Sequence, residues 1–304
     1  EKLRRYFKNM NTDIFKIYPD SIDSKAILSA ASVIKAGGLV AFPTETVYGL
    51  GADATDKSAA KKIYAAKGRP SDNPLIIHVA SPEDARIYAE VSELYERLAK
   101  AFMPGPLTVI MPKKAIVPDE VTGVLYSVAV RCPSHPIARA LISAAGVAIA
   151  APSANISGSP SPTCAEHVIK DMQGRIEAII DGGECEIGLE STIVKLDGAV
   201  ATLLRPGAIT EALCAYGSKL VIPAYYDRAL KTKYSRDDDS EEMIDLVKNS
   251  IVFDVGYLSG GPLQSTGYEL ANSTNQDFAS YYAARKESAE KSLETFLEDY
   301  GGVE

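Results

Sequence analysis

From Ile27 to Ala208, short runs of Val, Ile and Leu alternate with stretches whose apolar residues recur every three to four positions. Segments of strand period and helix period that follow one another in this way can bury their apolar faces only as helices packed on a sheet, so the pattern predicts an α/β domain. The expected strands are Gly38–Phe42, Leu75–Val79, Leu107–Met111, Ser127–Arg131, Val147–Ala151, Ala178–Ile180 and Thr192–Leu196, each short and bounded by Gly or Pro. Asp56 is placed to cap a helix ending near Lys67, with Gly68 just beyond it. Ser81-Pro82-Glu83 reads as another helix start, and Thr163 with Glu166 forms a capping-box pattern before Val168 and Ile169. Strand order does not follow from this pattern. Several strands run into Pro-Thr, Pro-Gly or Pro-Ser, the composition of strand-end loops that build a site.

The pattern breaks after Pro206-Gly207. The chain's 304 residues leave room for a second domain. We expect a first domain over residues 1–215, a linker over 216–239 rich in Pro, Tyr and charge, and a small α/β domain over 240–304. Within the last, Ser240 caps a helix, Ile251–Val255 reads as a strand and Phe278–Phe296 as a long helix. No apolar run approaches the roughly 20 residues that span a bilayer. The charged stretch Glu1–Met10 lacks a signal-peptide core, and Met10 is itself a candidate start. Cys132, Cys164, Cys185 and Cys214 show no paired spacing, which favours reduced thiols and a cytoplasmic location. A net charge of −8 argues against nonspecific coating of nucleic acid but leaves space for a local cationic site.

There is no Walker A loop, GxGxxG, HExxH or GxSxG motif, and His78, His135 and His167 lack metal-ligand spacing. Three segments carry candidate chemistry. Lys67-Gly68-Arg69-Pro70-Ser71-Asp72-Asn73-Pro74 is either a rigid cationic loop that meets a polyphosphate or a solvated basic helix end. Arg131 closes an apolar strand before Cys132-Pro133, where it either receives a carboxylate or phosphate or pairs with a buried acid. Ala151-Pro152-Ser153-Ala154-Asn155-Ile156-Ser157-Gly158 is either an anion cradle or a turn-rich loop.

Taken in order, these segments join Phe42-Pro43-Thr44-Glu45-Thr46-Val47-Tyr48-Gly49-Leu50, Pro104-Gly105-Pro106-Leu107-Thr108, Glu190-Ser191-Thr192-Ile193 and Leu204-Arg205-Pro206-Gly207. The whole series, from about Ile27 to Ile209, resembles the YrdC-like domain of the threonylcarbamoyl-AMP synthases, and the C-terminal extension resembles the long form of that family. The resemblance implies a twisted mixed sheet with a deep cleft, joined to a smaller Rossmann-like α/β domain. It also implies a nucleotidyltransferase that converts L-threonine, bicarbonate and ATP into threonylcarbamoyl-AMP and pyrophosphate. Mg²⁺ would accompany ATP, without protein ligands assigned. Other proteins would then transfer the threonylcarbamoyl group to tRNA, direct tRNA contact by this chain being left open.

By motif, the resemblance puts Lys67, Arg69, Asn73, Ser127, Ser153, Asn155, Ser161 and Arg205 on the nucleotide. It puts Thr46, His78, Arg131, Ala151 and Ser191 on threonine, with Arg131 at its carboxylate. Chemistry of this kind depends on positioning by Lys67, Arg69 and Arg131 rather than on an acid–base device. Long members carry a Lys-Tyr-Arg-His-Tyr-Ala-Pro-like linker over the nucleotide. The nearest stretch here, Lys231-Thr232-Lys233-Tyr234-Ser235-Arg236, keeps Tyr234 as a candidate nucleotide contact and lacks the His-Tyr-Ala-Pro part. The competing reading is an RNA-binding module of the same fold, against which the acidic charge and the absence of Trp count.

Overall fold

The computed structural model describes residues 11–198, 200–209 and 219–221. The expected C-terminal domain, Tyr234, Cys214 and all but three residues of the expected linker lie outside that range. The chain divides into two compact units, Glu1–Ser191 and Thr192–Glu304.

In the first unit the strands are β1 (Asp13–Lys16), β2 (Val40–Phe42), β3 (Gly49–Asp53), β4 (Ile76–His78), β5 (Leu107–Pro112), β6 (Ser127–Arg131), β7 (Ile149–Ala151) and β8 (Ala178–Asp181). They lie side by side in the order β1-β8-β2-β3-β7-β4-β6-β5. The pairs β1–β8, β8–β2 and β4–β6 are parallel, while β2–β3, β3–β7, β7–β4 and β6–β5 are antiparallel. The mixed sheet expected for the domain is therefore present. Strands β1 and β3 had no counterpart in the sequence reading. Gly49-Leu50-Gly51-Ala52-Asp53 carries two glycines, which weaken a strand signal. Neighbouring side chains need the space: a Cβ on Gly51 would lie 2.6 Å from Ile149 Cγ2 and 2.8 Å from Phe42 Cε1.

The helices are α1 (Ser24–Lys35), α2 (Lys57–Lys67), α3 (Ala85–Tyr88), α4 (Glu93–Phe102), α5 (Asp119–Thr122), α6 (Pro136–Ala145) and α7 (Ala165–Met172). Helix α2 is bounded as its caps predict. The Asp56 carboxylate accepts from Ser58 N at 2.8 Å, and Gly68 turns left-handed at φ 64°. Ser81-Pro82 starts a 3₁₀ turn over Pro82–Asp84, which leads into α3; Asp84 accepts from Ser81 N at 2.9 Å. The expected Thr163 capping box is corrected: the N-cap of α7 is Cys164. The Thr163 carbonyl instead accepts from Cys185 N at 2.8 Å, so the backbone there is tied to the 182–187 loop.

Helices α1 and α6 bury Ile27, Ala30, Ile34, Ile137, Leu141 and Ala145 in one cluster with Phe42, Ile149 and Ile180 from the sheet. Burial on this scale supplies the main drive for folding. In the second unit, β9 (Thr192–Asp197) and β10 (Val200–Arg205) form an antiparallel pair with an irregularity between Leu203 and Arg205. Strand β11 (Lys219–Val221) runs parallel to β10.

Candidate functional site

Between β2 and β3 the chain folds into a turn, Pro43–Tyr48, that is buried throughout. Buried backbone needs internal partners, and Thr44 supplies them. Its hydroxyl accepts from Thr46 N and Val47 N, each at 3.2 Å, and donates to Val47 O at 2.6 Å. The Thr46 hydroxyl lies 2.9 Å from that of Thr44. The Tyr48 hydroxyl donates to Gly183 O at 2.6 Å and accepts from Gly182 N at 3.1 Å, pinning a second loop beside the turn. A side chain on Gly182 would lie 2.6 Å from Pro43 Cγ, so only glycine allows that approach.

Sheet register brings the next group together. Thr108 lies opposite Arg131, Arg131 opposite His78, and His78 opposite Ile149. Directly paired strand residues project to one face, so the four form a row across the sheet. The Thr108 hydroxyl lies 2.8 Å from that of Ser191. His78 is buried, with Nδ1 3.3 Å from Ile149 O. Burial, with the Arg131 charge adding to it, lowers its pKa to about 3, so the imidazole is neutral. His78 is thus suited to hydrogen bonding rather than to charge pairing.

Arg131 pairs with Glu45: Nη2 lies 2.8 Å from Oε1, and each side chain is 4% exposed. The contact is close but poorly aligned. Both Glu45 oxygens, Arg131 Nε and Nη2, and His135 Nδ1 are buried without a hydrogen-bond partner among the described residues. Burial lowers the pKa of His135, at the N-terminus of α6, below its ordinary value, against the opposing pull of Glu45 and Glu186. Sequence reasoning named an unidentified buried acid as one partner for Arg131; the structure identifies it as Glu45. It missed Glu45, Thr44, Thr108 and His135 as members of the group. Glu45 was legible only as a lone acid inside a run that is otherwise apolar or hydroxylic.

A second group forms where α2 meets the loop after β7. Lys67 is 1% exposed. Its Nζ donates to Ser153 O, to Asn155 O at 2.6 Å and to Asn155 Oδ1 at 3.3 Å. The Ser153 hydroxyl donates to Asn155 Oδ1 at 2.6 Å, and Asn155 Nδ2 donates to Ile156 O and Ser159 O at 2.8 and 2.6 Å. Burial, and then the Arg69 charge, lower the Lys67 pKa to about 7, against the raising effect of Glu190 and Asp171. Arg69 Nε is buried without a partner among the described residues, while Nη2 reaches Pro74 O at 3.5 Å. The Ser161 hydroxyl donates to Glu190 at 2.8 Å.

The structure therefore joins Lys67, Ser153 and Asn155 through hydrogen bonds, and Arg131, His78 and Thr108 through register. Thr46 belongs to the same turn as Glu45, and Ala151 lies in β7, paired with Ile76 of β4. Asn73 is exposed in the loop before β4. Ser127 opens β6, roughly 13 Å along the strand from Arg131. Arg205 ends β10 in the second unit. Among the described residues no group of His, Cys, Asp and Glu is arranged to hold a metal ion. Burial holds Cys132 and Cys185 as neutral thiols, each with its pKa pushed up to about 12.

Residues 32–207 match the family model Sua5_yciO_yrdC, described as telomere recombination. A threonylcarbamoyl-AMP synthase of Pyrococcus abyssi is 51% identical over 234 residues, covering 74% of this chain and 69% of that protein. One of Bacillus subtilis is 48% identical over 212 residues, covering 69% of this chain and 60% of the relative. The crystal structure of P. abyssi Sua5 complexed with L-threonine superimposes with a TM-score of 0.63 at 56% identity, over 64% of this chain and 58% of that one. The chain thus spans about three-fifths to two-thirds of the length of these relatives.

Proposed function

The chain belongs to the Sua5_yciO_yrdC family, and from that premise we propose that it is a threonylcarbamoyl-AMP synthase acting in tRNA threonylcarbamoyladenosine formation. L-threonine, bicarbonate and ATP become threonylcarbamoyl-AMP, pyrophosphate and water. The threonine amine adds to the bicarbonate carbon with loss of water to give a carbamate. A carbamate oxygen then attacks the α-phosphorus, and the bond to pyrophosphate breaks. The observation that carries this reading is the buried row of Arg131, neutral His78 and the Thr108–Ser191 hydroxyls. Its guanidinium has nitrogens left without hydrogen-bond partners among the described residues. A small hydroxylated amino acid complements such a row, with its carboxylate on Arg131. The L-threonine complex of the P. abyssi relative supports it.

Lys67 and Arg69 take the phosphates, with Asn73 beside them. Ser127, Ser153, Asn155 and Ser161 line the nucleotide side, and the family motif assigns Arg205 and, outside the described residues, Tyr234 to the nucleotide as well. Thr46, His78, Ala151 and Ser191 hold threonine with Arg131. The described residues build no protein cage for Mg²⁺. In this reading the cation comes with the phosphates of ATP, and no step depends on a protein-bound ion. Catalysis then consists of positioning and charge neutralisation. The product passes to transfer proteins that act on tRNA, in the cytoplasm; no helix among the described residues is long and apolar enough to cross a membrane.

The test is pyrophosphate release from MgATP and bicarbonate, with each amino acid supplied in turn. Release should require threonine and fall at least about 100-fold in Lys67→Ala and Arg131→Ala, the loss expected when a preorganised charge contact is removed. Folded protein that releases no pyrophosphate with threonine would sink the reading.

A further inference from the structure

The Glu45–Arg131 pair is unusual for a buried ion pair. A pair kept for structure needs aligned hydrogen bonds on its remaining protons and lone pairs to offset desolvation. Here both Glu45 oxygens, Arg131 Nε and Nη2 and the neighbouring His135 Nδ1 lack such bonds among the described residues. The backbone around Glu45 is nevertheless fixed. Its carbonyl accepts from Ile187 N at 2.8 Å, and the Thr44 hydroxyl locks the turn on its other side. Only the carboxylate end is left poorly satisfied, and it faces a guanidinium in the same condition.

Opposite charges that are buried together and incompletely bonded complement a ligand carrying both charges. We propose that Glu45 is the positioning residue for the α-amino group of the amino-acid substrate. Without the amino acid, Glu45 holds Arg131 in place of the substrate. When the amino acid enters, its carboxylate takes the guanidinium and its amino group takes the released carboxylate. No buried charge is left uncompensated in either state, which keeps the exchange inexpensive. Once the amine is carboxylated it retains an N–H, so Glu45 can orient the nitrogen before and after carbamate formation. The inference rests on the synthase reading of the same site and adds a selectivity rule: ligands without the amino group, or without the carboxylate, are rejected.

Calorimetric titration of the full chain tests it with three probes: L-threonine, 2,3-dihydroxybutyrate, in which a hydroxyl replaces the amine, and threoninol, in which the carboxylate is reduced. Wild-type protein should bind threonine at least about tenfold more tightly than either analogue, the scale of one charge-assisted hydrogen bond. Glu45→Gln should weaken threonine roughly 10- to 100-fold while changing dihydroxybutyrate about twofold or less, so the preference for an amino group collapses. Glu45→Asp, which keeps the charge, should recover part of it. Thermal melts establish that each variant is folded. Equal weakening of both ligands in a folded Glu45→Gln is the signature of a purely structural pair and overturns the proposal. So does equal affinity of wild-type protein for threonine and dihydroxybutyrate, a comparison that holds even if both variants unfold. Folded wild-type protein that binds ATP but no threonine overturns the synthase reading together with it, so the two failures are distinguishable.

Discussion

Lys67 and His78 are both buried, yet burial acts on their ligand chemistry in opposite ways. His78 is held neutral well below its usual pKa near 6.5, so it meets a ligand as a hydrogen-bonding group across the whole physiological range. Lys67, with its pKa lowered to about 7, loses charge within that range. A phosphate binds the charged amine, so nucleotide affinity should fall as pH rises from about 6 to about 9. Calorimetry at several pH values should find that decline in wild-type protein and not in Lys67→Met. The same shift has a stability consequence. Between about pH 7 and the usual lysine pKa near 10.4, the unfolded chain binds a proton that the folded chain releases, so stability from this group rises with pH across that window. Below about pH 7 both states are protonated and the burial cost is felt in full. Arg131 adds a prediction on stability alone. Arg131→Ala leaves Glu45 buried and unpaired, and urea denaturation should report a loss of about 3 to 5 kcal/mol.

At the scale of single elements, α2 delivers Lys67 and Arg69, and its ends fix where they sit. Asp56 caps its start, and Asp56→Ala should cost about 1 kcal/mol in denaturant unfolding. Gly68 ends it in the left-handed region, with open space around its missing Cβ among the described residues. Gly68→Ala should therefore cost backbone strain of about 1 to 2 kcal/mol and no steric clash. Strand β3 gives the contrasting case. Gly51→Ala pushes a methyl into Ile149 and Phe42, and the core must move to accept it. A loss of about 1 to 3 kcal/mol is expected from unfolding curves. Both ends of α2 were legible in the sequence, because capping is local chemistry. Strand β3 was not, because its glycines answer to side chains that reach it from β2 and β7.

For the molecule as a whole, the charge of −8 weighs against a polyphosphate partner held by nonspecific attraction. Duplex RNA in a filter-binding titration should bind weakly, with little loss of affinity between about 50 and about 200 mM salt. A steep salt slope would bring the RNA-binding reading forward. The sequence by itself determined the alternation of strands and helices, the caps of α2, and the ordered motifs that identified the family, since each is written in residues close along the chain. Only the tertiary structure decided the strand order, the row that sets Thr108, Arg131 and His78 abreast, and the identity of the acid beside Arg131. Lys67 and the Ser153 carbonyl it grips are 86 residues apart. Contacts over such distances follow from sheet register and from the burial of charges that must find partners, and no local pattern encodes which partner each will meet.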